Sequence, residues 1–369
     1  MEKKFRKIAV LTSGGDAPGM NAAVRAVVNC ADAKGIEVYG LMRGYSGLLE
    51  DDMKLLSPRD VALVAGESGT ILYSDRCLEF KTEKGMKKAL ATCKRKGIDG
   101  VVAIGGDGTF RGATDLSNHG IPTIGIPGTI DNDITSTDYT IGFDTAMNTV
   151  LEMVDRLRDT CESHARCNVV EVMGRHAGDI ALYTAMATGA VALAIPEMPF
   201  DEDACIRKIK RLRAKGQRSF IVIVAEGYKY GEGYGEDLAK RIQKETKFGE
   251  AGYEKKGVET KFARLAHVVR GGEPTLRDRV AAARFSERAV EELLKGNSNI
   301  VICEQGGEYV AVDINYALAL DTMWKNIDKF NEKERPKFDA AKIAAMEATC
   351  KDKQAYIKKM YKIVNDLAR

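Results

Sequence analysis

Short apolar, β-branched runs alternate along almost the whole chain with segments whose apolar residues recur every three or four positions. Lys7–Thr12 reads KIAVLT, a strand buried on both faces. Met20–Lys34 carries Val24, Val27, Val28 and Ala31 on one helical face and stops at Gly35. Strands follow at Glu37–Met42, Ile98–Ile104 and Pro122–Ile126, with a helix from Thr109 between the last two. A long helix at about 144–161 sets Met147, Val150, Leu151, Val154, Leu157 and Cys161 on one face. Strands recur at Cys167–Met173, Ala192–Pro196 and Phe220–Ala225, with helices between them. This is βαβ winding with a mainly parallel sheet flanked by helices, an α/β chain in which the unit is built twice. Gly227–Gly257, rich in glycine, lysine and glutamate, reads as an exposed insertion around one short helix. From about Pro336 the pattern is helical, with Ile357, Met360, Tyr361, Val364 and Leu367 forming a packing or oligomer stripe.

Composition narrows the class. At 369 residues the length suits two lobes, and 44% hydrophobic with 30% charged residues is globular. The 56 basic and 53 acidic residues are well mixed, and the net charge of +3 has no basic block, so nucleic acid is not indicated. The eight cysteines show no CxxC pair and no zinc spacing, which reads as reduced, cytoplasmic thiols. No apolar run approaches the ~18 residues of a membrane helix.

Three glycine-rich segments carry candidate chemistry. LTSGGDAPGMNAA at Leu11–Ala23 joins the first strand to the first helix, where glycines and a helix N-terminus suit an anion or Asp16 caps the turn. There is no Walker A loop and no GxGxxG fingerprint. GGDGT at Gly105–Thr109 follows a buried strand; Asp107 is placed to hold Mg²⁺ across two phosphates, or to cap the next helix. PGTIDND at Pro127–Asp133 sets Thr129, Asp131 and Asp133 at alternate positions, so an extended chain points them to one side. One carboxylate there can accept a hydroxyl proton. Aspartates do not hold phosphate themselves, so glycines with carboxylates read as phosphoryl transfer.

With EVMGRHAGD at Glu171–Asp179 and HVVRGGEPT at His267–Thr275, these motifs resemble the 6-phosphofructokinase family from about Arg6 to Ile314. The resemblance implies two Rossmann-like lobes: 1–140 with about 259–312 binding nucleotide, and about 141–258 with 313–335 binding sugar phosphate. A helical extension at 336–369 falls outside it. It further implies transfer of the terminal phosphate of Mg-ATP to the 1-hydroxyl of fructose 6-phosphate. Asp131 then matches the base, beside Thr129, Asp133 and Arg175, and Asp107 matches the Mg²⁺ carboxylate. The donor matches Gly15, Arg76, Cys77, Gly106, Asp107, Gly108 and Thr109. Sugar contacts match Met173, Gly174, Arg175, Glu226, His267 and Arg270. Arg166 and Lys261 match cations that reach the 6-phosphate in a neighbouring subunit, which implies a homotetramer.

The departures from the family are specific. Lys261 stands where arginine is usual, which keeps the charge and loses the bidentate fork. Cys77 replaces a phenylalanine of the nucleotide wall, and Tyr73 replaces a glycine beside the donor phosphates. A related sugar-phosphate kinase and a catalytically weak paralogue are the rival readings. Pyrophosphate-using members carry an acid and a lysine where this chain has Gly108 and Gly128, so ATP is the expected donor. At the family's effector pocket Arg25, Arg158 and Lys215 are retained, but Asn29, Asp52 and Gln217 replace basic residues and Val191 replaces the metal-serving acid.

Overall fold

The computed structural model describes residues 5–230, 233–247 and 257–368. Its strands are β1 (Lys7–Ser13), β2 (Glu37–Leu41), β3 (Met53–Leu56), β4 (Gly100–Gly105), β5 (Thr123–Pro127), β6 (Cys167–Val172), β7 (Ala192–Ala194), β8 (Phe220–Ala225), β9 (Thr260–Arg264), β10 (Ile300–Gln305) and β11 (Glu308–Asp313). The helices are α1 (Met20–Asp32), α2 (Ser46–Glu50), α3 (Glu83–Lys96), α4 (Asp107–Asn118), α5 (Phe143–His164) and α6 (Asp179–Thr188). They continue with α7 (Glu202–Ala214), α8 (Tyr234–Glu245), α9 (Leu276–Leu294), α10 (Ile314–Lys325), α11 (Ile327–Lys329) and α12 (Ala340–Leu367). No helix among the described residues is long and apolar enough to cross a membrane.

The first unit takes the described residues of Met1–Ile130, Ile134–Thr145 and Arg270–Met346. Its sheet runs β11-β10-β5-β4-β1-β2-β3, parallel except for β11 and β3, which pair antiparallel at the two edges. β4 and β5 are buried at every position because helices cover both faces, which is why their sequences are continuous apolar runs. The register pairs Ser13 with Gly105 and Gly105 with Pro127. The three glycine-rich loops therefore leave adjacent parallel strands at their carboxyl ends, where open α/β sheets bind ligands.

The second unit takes the described residues of Asp131–Asp133, Ala146–Val269 and Glu347–Arg369. Its sheet runs β7-β8-β6-β9, all parallel. Val172 pairs with Ala225 and Glu171 with Arg264, so the turns beginning at Met173, Glu226 and Leu265 leave the same end of this sheet.

Several boundaries differ from the sequence reading. Residues 260–264 form β9 of the second sheet and do not join the first lobe; TKFAR is a half-exposed edge strand, and edge strands lack the apolar run that marks a central one. Residues 314–325 form α10 of the first unit, with Ile314 and Ala317 in its core and Asp321 accepting the Thr135 N–H at 2.6 Å. The tail is one helix whose residues from Glu347 belong to the second unit. Of its stripe, Ile357 and Val364 are buried, Met360 and Tyr361 half-buried, and Leu367 is 60% exposed. α8 does more than decorate the surface: Leu238, Ala239 and Ile242 enter the second core, each large side chain worth ~1.5–3 kcal/mol when fully buried. The rest of that expected insertion, at 231–232 and 248–256, lies outside the described residues.

Candidate active site

In the first unit three segments are tied around the end of β1. Thr109 Oγ1 donates to Ser13 O at 3.1 Å, and Tyr45 OH donates to Thr109 O at 2.6 Å. Ser74 Oγ donates to Gly14 O at 2.5 Å, and Thr12 Oγ1 to Tyr73 O at 2.9 Å. These bonds gather Gly15, Arg76 and the Gly106–Thr109 loop into one place. Tyr73 holds φ at 57° and is 62% exposed; the left-handed backbone explains why a glycine suits this position in the family. Arg76 is exposed, while Cys77 is half-buried and packs against the first core.

α4 begins at Asp107, two residues before the expected start, and Gly106 is its cap. Asp107 is therefore in the first helical turn and is not the cap. Its Oδ1 accepts the Gly108 N–H at 2.9 Å. A Cβ built on Gly106 or on Gly108 meets nothing within 4 Å, so the space beside the loop is open. The amides of this 12-residue helix face the same opening, a setting that favours anions. Asp16 is not a cap either: α1 starts after Gly19 with no side-chain cap. The Asp16 carbonyl instead accepts Arg270 Nη1 at 3.2 Å, and that guanidinium occupies the space a Cβ on Gly15 would need, 2.6 Å away. Arg270, expected among the sugar contacts, thus rests on the donor-side loop.

The PGTIDND segment leaves the first unit after Ile130 and returns at Ile134. It is not extended. Ile130 and Asp131 form a turn and Asn132 has φ 49°, so the alternate-position argument for Thr129, Asp131 and Asp133 does not hold. Thr129 stays with the first unit, its carbonyl accepting Thr140 Oγ1 at 2.7 Å. Asp131 is 2% exposed and lies 3.4 Å from Arg175 Nε.

Arg175 comes from the turn after β6. Met173 is buried, Gly174 has φ 141° and Arg175 has φ 51°. Glu226, at the end of β8, fixes this turn: its Oε1 accepts the Gly174 N–H at 3.3 Å and the Arg175 N–H at 2.8 Å. His267 is exposed on a short 3₁₀ turn after β9.

Arg166 and Lys261 sit at the opposite end of the second sheet, where Cys167 pairs with Thr260 and Asn168 with Lys261. At ~3.3 Å per residue, β6 separates them from Arg175 by roughly 20 Å. Glu259 holds the pair together, with Arg166 Nε at 2.9 Å and Lys261 Nζ at 3.0 Å. Hydrogen bonds from Arg166 and then Lys261 draw the Glu259 carboxyl down to about 2.

Sequence reasoning missed Glu259, and it missed Asp278. The Asp278 carboxylate is fully buried and accepts the Tyr139 hydroxyl at 2.5 Å, the Gly142 N–H at 2.7 Å, and both the N–H (2.9 Å) and hydroxyl (2.5 Å) of Thr145. It pins the segment running from the acidic loop into α5. The only local signal was an acid three residues after Thr275, which reads as an ordinary first-turn residue behind a cap.

A family model described as Phosphofructokinase matches residues 7–293. The ATP-dependent 6-phosphofructokinase of Clostridium tetani is 49% identical over 329 residues, 89% of this chain and 97% of that protein. That of Halalkalibacterium halodurans is 46% identical over 314 residues, 85% and 94% of the two chains. Among solved structures, phosphofructokinase from Saccharomyces cerevisiae superposes with a TM-score of 0.80 at 32% identity, covering 93% of this chain and 50% of that one. This chain therefore spans half the length of the yeast protein. A pyrophosphate-dependent phosphofructokinase from Marinobacter aquaeolei, at 23% identity, TM-score 0.69, and 84% and 81% coverage, shares the fold. With the motif loops in register at the strand ends and relatives matching along most of its length, this chain belongs to the phosphofructokinase family, kinases that pass phosphate to an alcohol acceptor.

Proposed function

We propose that this chain is an ATP-dependent 6-phosphofructokinase acting on fructose 6-phosphate in the cytoplasm. The observation that carries the mechanism is the buried Asp131 paired with Arg175. The 1-hydroxyl oxygen of the sugar bonds to the terminal phosphorus of ATP, and the bond to the bridging oxygen breaks with its electron pair on ADP. The hydroxyl proton goes to the Asp131 carboxylate. Arg175 supplies positive charge where the transferring group is most negative, which is what phosphoryl transfer asks of a protein.

The residues of the first unit serve the donor. Gly15, Arg76 and the Gly106–Thr109 amides receive its phosphates. Asp107 suits Mg²⁺: no group of three or more metal-ligating side chains exists among the described residues, and this ion usually takes one or two carboxylates with waters and substrate phosphates. Bound there, it neutralises donor charge. In the second unit Met173, Gly174, Glu226 and His267 line the sugar, with Asp133 beside the base. Arg166 and Lys261 bind the 6-phosphate of a neighbouring subunit in a homotetramer, exchanging Glu259 for phosphate; their place at the far end of β6 supports this role.

The test is Asp131→Asn, which is expected to fold and bind sugar phosphate yet lose kcat by ~10²–10⁴. Near-normal turnover would end the assignment.

A further inference from the structure

Tyr73 lies in the first unit, in a stretch that the fold holds from several sides. Asn21 of α1 is buried; it accepts the Ile71 N–H at 2.7 Å and donates to the carbonyls of Glu67 at 3.2 Å and Ser68 at 3.3 Å. Thr70 Oγ1 lies 2.7 Å from Thr12 Oγ1 and accepts the Leu72 N–H at 3.2 Å. Leu72 is buried, and its carbonyl accepts the Arg43 N–H at 2.7 Å. The Tyr73 N–H donates to Thr70 O at 3.1 Å, and the Tyr73 carbonyl accepts from Thr12 Oγ1 at the end of β1. The next residue, Ser74, is tied to the Gly14 carbonyl. The backbone at Tyr73 has no freedom to choose its conformation.

That conformation is left-handed, with φ 57°, which a bulky side chain adopts only at a cost in strain. The fold gains little in return. The side chain is 62% exposed, and its hydroxyl has no partner among the described residues. Glycine would keep the same turn without the strain. Strain that the surroundings impose in this way collects where a ligand is held. The loops suited to phosphate are adjacent: Ser74 is bonded to Gly14, Thr109 to Ser13 at 3.1 Å, and the exposed Arg76 follows three residues on. A phenol O–H is a donor that phosphate oxygens accept, and such a bond to an anion is stronger than one between neutral groups.

We propose that Tyr73 is a nucleotide-binding residue whose hydroxyl donates to a phosphate oxygen of the nucleoside triphosphate resting on the Gly14–Gly15 and Gly106–Thr109 loops. The strained turn presents the phenol at the end of β1, and the bond to phosphate is what the strain secures. The inference deepens the reading of ATP as the phosphoryl donor and rests on it.

The experiment compares full-length wild type, Y73F and Y73G. It reads kcat and KM for each substrate, calorimetric binding of the non-hydrolysable ATP analogue AMP-PNP with Mg²⁺, melting temperature and oligomeric state. Both variants should bind the analogue about 10-fold more weakly and lose about 10-fold in kcat/KM for ATP, since each loses the charge-assisted bond. The KM for fructose 6-phosphate should stay within about twofold. Y73G should melt no lower than wild type, because relief of the left-handed backbone offsets the freedom that glycine adds to the unfolded chain. Weaker binding without a loss of stability is a result that a packing role does not give. Wild-type affinity for the analogue in either variant overturns the proposal. So does a Y73G protein that melts lower or falls into smaller oligomers, because the ring is then held by the fold or by a second copy of the chain. A wild-type enzyme that does not turn over with ATP refutes the reading of the phosphoryl donor instead, so the two failures are told apart.

Discussion

Gly227 is the most sensitive test of how Arg175 is aimed. Its backbone φ is one any residue adopts, so a substitution there tests space alone. A Cβ would stand 1.9 Å from the Arg175 carbonyl oxygen, 3.0 Å from its carbon and 3.4 Å from His176 Cα. A carbon–oxygen contact closes at roughly 3.3 Å, so in Gly227→Ala one backbone must retreat by about 1.4 Å. The retreat works against the 2.8 Å bond from the Arg175 N–H to Glu226, a charge-assisted bond worth ~1.5–3 kcal/mol. Overpacking adds about 1–3 kcal/mol of destabilisation. A 1 Å misplacement of a charge-positioning group costs about 10²-fold, so kcat/KM for fructose 6-phosphate should fall by ~10². The KM for ATP should hold within about twofold, since the donor loops belong to the other unit. A coupled spectrophotometric assay with each substrate varied in turn, run beside thermal melting, reads both. A Gly227→Ala enzyme with wild-type kcat/KM for the sugar phosphate would refute the fit between Glu226–Gly227 and the Met173–Arg175 turn. So would an equal loss for both substrates.

Three further outcomes are expected. Mixing inactive Asp131→Asn chains with inactive Arg166→Ala chains should restore part of the activity through subunits that share sites; full activity from a monomer would contradict this. ATP should be used and pyrophosphate should not, because the space beside Gly108 is open to a nucleoside; faster turnover with pyrophosphate refutes it. Gly128 takes no part in that argument, since its Cβ would point at Ile104 (3.0 Å) and Met20 (3.3 Å) in the core. Millimolar ADP or phosphoenolpyruvate should leave half-saturation by fructose 6-phosphate unchanged. Asp52 is engaged by Arg43 at 3.0 Å, Gln217 by the Ser219 carbonyl at 2.9 Å, and Val191 is buried, so none of these three positions offers a phosphate a cation; a clear shift with either ligand would show that the retained Arg25, Arg158 and Lys215 suffice.

What could be read in the chain divides along a physical line. Buried parallel strands declare themselves because both of their faces are apolar, and the glycine-rich loops declare themselves because close backbone approach and carboxylates sit within a few residues of one another. Both are short-range properties. Edge strands such as Thr260–Arg264 do not declare themselves, because their composition is that of a surface. Thr129–Asp133 is hidden for another reason: its composition suits a polar site, but one asparagine in the left-handed region turns the chain, and the sequence does not say which asparagines adopt it. The charges that organise the site were the least legible. Glu259 lies far in sequence from Arg166 yet joins it to Lys261, and Asp278 lies far from the Tyr139–Thr145 segment that it pins. An isolated Glu259 or Asp278 reads as a surface residue, and charged residues usually are. Only the fold decides which of them are removed from water with their partners, and removal from water is what makes a distant partner matter. In this chain that shared burial joins Asp278 to the segment that follows the loop bearing the candidate base, so a residue outside every motif steadies the stretch beside them.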